Sequence, residues 1–111
     1  MRGTVKIGDK DVEMLANAAS PYLYSQLFHE DFLQIIQQPA PPPNVFEKMG
    51  YIMTCQATMK TEELFGGLKI SDFYKWLESF EPMAILQATK EIAELYTGQE
   101  VQLSSPKEKD A

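Results

Sequence analysis

Apolar and polar positions change period several times along the chain, and each change marks an element. The stretch TVKIGDKDVEML places Val5 and Ile7 before a polar Gly-Asp-Lys-Asp bend and Val12 and Met14 after it. This is the alternation of a β-hairpin. A two-stranded ribbon alone is barely stable in water, so it needs an apolar surface that helices must supply. Ser20-Pro21 is a helix start, with Ser able to cap free amides and Pro tolerated in the first turn. From there Tyr24, Leu27, Phe28, Ile35 and Ile36 keep helical spacing to about Gln38. The Pro-Ala-Pro-Pro-Pro run at 39–43 cannot continue a helix and reads as a stiff extended connector rather than a ligand for a Pro-binding module.

Asn44 is the cap expected for the next helix, whose broad stripe is Phe46, Met49, Ile52, Met53 and Met59. Gly66-Gly67 ends the segment after it. Ser71 or Asp72 is the expected cap of SDFYKWLESF, where Phe73, Trp76, Leu77 and Phe80 form a compact apolar face. Pro82 restarts a helix with the stripe Ile85, Ala88, Ile92 and Leu95, Tyr96 beside it, and a stop at Gly98. The expected fold is mainly α, a small N-terminal β-hairpin packed on a bundle of about four to five short helices. Residues 1–98 form one domain in this reading, and the polar, unpatterned 99–111 is a flexible tail.

Within the second element Tyr24, Phe28 and Asp31 follow at steps of four and three, which puts a carboxylate in line with two aromatic rings. An acid held against apolar rings has a raised pKa and is a candidate for proton chemistry. Asp31-x-x-Gln34 also has the form of a capping box, which would mark a break or bend after Phe28. Loss of a cap costs about 1 kcal/mol, reason enough for an acid at this position without catalytic duty.

Composition narrows the function classes. The chain has 111 residues, 44% hydrophobic and 23% charged, ordinary for a single globular domain. Its net charge of −6 would repel nucleic acid and an anionic membrane surface alike. The imbalance lies in the second half, where residues 61–111 carry five basic and ten acidic groups. Cys55 is the only cysteine, so the chain relies on packing as proteins of reducing compartments do, and no signal-peptide or membrane-spanning run is expected.

Candidate chemistry is sparse. A lone His29 does not make a zinc cluster, and a Cys55–His29 nucleophile pair competes with a buried thiol in a helical stripe. Phosphate-binding glycine loops, HExxH and GxSxG do not occur. The sequence therefore implies no cofactor, no metal site and no catalytic residues. Met49, Met53 and Met59, like Phe73, Trp76 and Phe80, read as core, with an adaptable groove for an apolar partner as the other use of such residues.

The segment VKIGDKDVEM, then Tyr24-x-x-x-Phe28-x-x-Asp31 followed by Phe-Leu, then FYKWLESF, resembles the tail assembly chaperones of long-tailed bacteriophages of Gram-positive hosts. The resemblance spans residues 4 to about 97, and the Pro-rich run departs from its pattern. It implies a non-enzymatic protein of the host cell cytoplasm that binds the phage tape measure protein and keeps it soluble while the tail tube assembles. Contact with the tail tube protein and homo-oligomerisation go with that role; nucleic acid and membrane do not. The positions it singles out for partner binding are Tyr24, Phe28, Asp31 and Trp76. Such families are often made in two lengths by ribosomal frameshifting, and Ser105-Pro106-Lys107 is compatible with the slippery codons UCC CCA AAA. Two other readings are a small acidic helical adaptor or regulatory protein that binds another cytoplasmic protein, and a hydrolase using Cys55 or Asp31.

Overall fold

The computed structural model describes residues 1–98; the expected tail at 99–111 and the codon site within it lie outside the described residues. The elements run β1 (Arg2–Ile7), β2 (Lys10–Leu15), α1 (Ser20–Phe28), α2 (Phe32–Ile36), α3 (Asn44–Thr58), α4 (Thr61–Leu64), α5 (Ile70–Glu78) and α6 (Pro82–Thr97). The fold is mainly α with a two-stranded antiparallel hairpin at its N-terminus.

The hairpin turns on two residues, Gly8 and Asp9, rather than the four polar residues expected, because Ile7 already pairs with Lys10. Gly8 takes a positive φ of 65° while Asp9 does not, a combination that only glycine adopts freely at the first loop position. Pairing of Val5 with Val12 and Gly3 with Met14 fixes the register, sending Val5, Ile7 and Met14 into the core. The outer face carries the exposed pairs Arg2–Glu13 and Lys6–Asp11, which add little stability.

α3 is the axis of the molecule. Val45, Phe46, Met49, Gly50, Tyr51, Ile52, Met53, Cys55 and Gln56 are all buried, so the helix is covered on almost every side. It packs on β2, α6 and α1, and α6 also packs on β1. α6 crosses it closely at Gly50, where a Cβ would stand 2.9 Å from Ile92 Cδ1. Met14, Met49 and Met53 are fully buried and Met59 half-buried, so these methionines serve as core. α6 starts at Pro82 and stops at Gly98, as its sequence pattern requires.

The helix starts differ from expectation, and side-chain bonding explains the clearest case. Ser20 is the first helical residue and Ala19 the cap position, because the Ser20 hydroxyl is used elsewhere. It donates to Gln56 Oε1 at 2.6 Å and accepts from the Asn17 N–H at 3.0 Å, while Gln56 Nε2 donates to Asn17 Oδ1 at 2.9 Å. This polar knot, buried at Ser20 and Gln56 and open to solvent at Asn17, ties the hairpin exit to α3. Asn44 is likewise the first residue of α3, not its cap, since the carbonyls of Pro42 and Pro43 already accept from Val45 and Phe46. The run expected to be an extended connector instead bends at Pro39 and Ala40, and Pro43 already has helical dihedrals. α5 begins at Ile70 after Lys69, so neither Ser71 nor Asp72 is its cap.

The stretch expected as one helix to Gln38 is two. α1 ends on His29 in the left-handed region, φ 58°, and α2 begins after Asp31, whose Oδ1 accepts from the Gln34 N–H at 3.3 Å. Asp31 is therefore a cap, as the box motif suggested.

Candidate functional site

The left-handed turn at His29 changes which carboxylate meets the aromatic rings. Asp31 leaves the helix face to cap α2, and Glu30 swings back over α1. Tyr24 Oη donates to Glu30 Oε1 at 2.8 Å, Lys48 Nζ donates to Glu30 Oε2 at 3.0 Å, and Ser25 Oγ donates to the Glu30 carbonyl at 2.8 Å. Burial opposes ionisation of Glu30, but the hydrogen bonds from Lys48 and Tyr24 and the ammonium charge outweigh it and hold its carboxyl below the usual value. Burial and the Glu30 carboxylate push the Tyr24 hydroxyl far above its ordinary value, so it stays a donor. Lys48 Nζ also lies 5.5 Å from the Phe28 ring centre, a cation–π distance.

Across from this node stands α5. Phe73 packs edge-on against Phe28 at 4.9 Å and against Tyr51 at 5.5 Å, and Trp76 lies 5.6 Å from Tyr51 and 5.1 Å from Phe80. The row continues inward from Phe28 to Tyr24, Phe32 and Tyr96. Where it reaches the surface, an open cleft of about 320 Å³ lies between α1 and α5. Leu27, Phe28, His29 and Lys48 line one side, and Ile70, Phe73 and Tyr74 the other. Ile70 is 43% exposed and Tyr74 57%, and both stand beside the Phe28–Phe73 contact at the cleft.

The four sequence candidates are distributed unequally over this cleft. Phe28 is a wall of it, and Trp76 supports it from behind through Phe73. Tyr24 is fully buried below, and Asp31 is exposed on the α2 cap, away from the lining. Glu30, Lys48, Ile70, Phe73 and Tyr74 complete the site. The Ile70–Phe73–Tyr74–Leu77 spacing was a helical signal available in the sequence; the Glu30–Lys48 pairing across 18 residues was not.

A second cleft, of about 350 Å³, lies between the hairpin tip and the α5–α6 joint. There Lys10 Nζ donates to the Ser79 carbonyl at 2.9 Å and sits 5.2 Å from the Phe80 ring centre.

Cys55 is buried, and desolvation raises its thiol above the usual value against an opposing hydrogen bond with Tyr51. No hydrogen bond of the described residues joins it to His29, which is exposed at the cleft rim. Among the described residues no three His, Cys, Asp or Glu side chains gather as a metal site, and no helix is long and apolar enough to cross a membrane. No protein-family model matches the chain, and no curated protein or solved structure is found to be similar to it.

Proposed function

We propose that the chain is a non-enzymatic tail assembly chaperone that receives an apolar helical segment of a phage tape measure protein in the α1–α5 cleft. The observation that carries this reading is the exposure of Ile70 and Tyr74 beside the Phe28–Phe73 contact. Together these give a concave surface with apolar walls at Phe28 and Phe73 and a polar rim at His29 and Lys48, which can take one face of an amphipathic helix. The resemblance of the Tyr24–Phe28–Asp31 and Phe73–Phe80 segments to the phage family supplies the client. The acidic exterior, at a net charge of −6, would keep a loaded complex dispersed.

Magnitudes suit a transient holder. Burying a large side chain fully contributes about 1.5–3 kcal/mol, so two that start half-exposed contribute less, and association costs several kcal/mol. One cleft alone binds weakly, and many copies along one extended client gain through multivalency. Self-association, contact with the tail tube protein and residence in the host cytoplasm belong to the same proposal.

Co-expression tests it. A tape measure fragment, encoded by the long helix-rich frame expected downstream of this gene, should stay soluble and co-purify with the chain. A fragment equally soluble alone, or one that elutes without the chain, counts against the reading.

A further inference from the structure

The site already holds a helix. α5 and its C-terminal turn present Phe73, Trp76, Leu77 and Phe80 at i, i+3, i+4 and i+7, the pattern with which an amphipathic helix fills a groove. Their seat is aromatic, with Phe28 and Tyr51 both touching Phe73 and Tyr51 also touching Trp76. Yet the attachment is thin. Phe73 is the one buried residue of α5, while Trp76, Leu77 and Phe80 are half-buried. Among the described residues, Lys10 Nζ to the Ser79 carbonyl is the one hydrogen bond that ties residues 69–80 to another element.

The chain entering α5 is built as a joint. Gly66 has a φ of +86°, and a Cβ on Gly67 would come within 2.1 Å of the Glu63 carbonyl oxygen, so both positions depend on glycine. On the far side Ser79 and Phe80 leave the helix before Pro82 opens α6. Few buried apolar contacts and such flanks are the features of segments at the low-stability end of a fold.

We propose that α5 is an intramolecular stand-in for the client: it swings outward on Gly66–Gly67, uncovers Phe28 and Tyr51, and yields this floor to a partner helix with apolar residues at i, i+3, i+4 and i+7, while Ile70 and Tyr74, toward the hinge end of α5, stay against that partner. The identity of the occupant as a client rests on the chaperone reading; the movement of α5 does not. Lys10 is the latch, holding the Ser79 carbonyl and the Phe80 ring from the hairpin tip. A covered floor would also limit exposed apolar area while no client is bound.

Hydrogen exchange on the full chain tests the movement. Amides of residues 70–78 should exchange at least ~100-fold faster than those of α3 and α6, as local opening requires. Lys10→Met should speed α5 severalfold more and leave α3 and α6 unchanged. Acrylamide quenching of Trp76, the only tryptophan, should rise in step. α5 amides as slow as those of α3, or a Lys10→Met effect shared by all helices, would overturn the flap. With a co-purified tape measure fragment, α5 should exchange faster still and Trp76 become more accessible, while segments containing Phe28 and Tyr51 slow. A fragment that co-purifies but slows α5 overturns the displacement. One that does not co-purify removes the chaperone reading and the client role given to the floor, and exchange in the free chain still decides whether α5 opens.

Discussion

Glu30 shows how one backbone angle reassigns a side chain. With helical spacing alone, Asp31 would share a face with Tyr24 and Phe28; the left-handed His29 turns Glu30 there instead, between Tyr24 Oη and Lys48 Nζ. Its folded carboxyl binds a proton less readily than the unfolded one. The stabilisation it gives is therefore complete above the ordinary value of 4.5 and is lost as pH falls through the lower folded value. Its side chain is 38% exposed, so solvent screening keeps the effect modest. Glu30→Gln should lower the urea midpoint at pH 7, and the two midpoints should converge as pH falls below the ordinary carboxylate range. A gap independent of pH would place the effect in shape rather than charge.

At the scale of elements, what was legible in the sequence was local. The hairpin follows from two-residue alternation, and α6 from a stripe bounded by Pro82 and Gly98. Asp31 capped α2 because the bond it makes spans three residues. Element starts at Asn44 and Ile70 were missed by a few residues at most, and the larger failures were tertiary. Ser20 looked like a cap but bonds to Gln56, 36 residues on, and Lys10, expected within the polar bend, pairs in β2 and reaches Ser79, 69 residues on. Half of the site shares that origin, since neither the Phe28–Phe73 contact nor the Glu30–Lys48 pair has a local signature. Gly50 in mid-helix is another case, explained by the close α6 crossing. Gly50→Ala gains up to ~1 kcal/mol of helix propensity. It also overpacks the fully buried Ile92, at a cost of about 1–3 kcal/mol. The net expectation is a loss of about 1 kcal/mol in denaturant unfolding. Combining it with Ile92→Val should cost less than the sum of the single changes.

For the whole molecule, the chaperone proposal predicts that stability and client capture are separable. The core runs through α3, α6, the hairpin and the buried face of α1, whereas the cleft opens between α1 and the more thinly attached α5. Ile70→Ser and Tyr74→Ser truncate side chains that are roughly half-exposed and should lower unfolding free energy by about 0.5–1 kcal/mol each. Made together, they should reduce recovery of a co-expressed tape measure fragment severalfold, read as fragment per chain after purification. Loss of fragment together with a large fall in melting temperature would mean the face is structural and would remove it as the docking surface.

The left-handed residue that closes α1 has an evolutionary corollary. A side chain in that backbone region is disfavoured by about 1–2 kcal/mol relative to glycine, and the imidazole of His29 forms no hydrogen bond with any described residue in return. Drift governed by folding alone should replace it with glycine or asparagine among descendants. Lineages that keep a histidine there, against that pressure, would be those in which the ring at the cleft rim is under selection for something other than holding the fold.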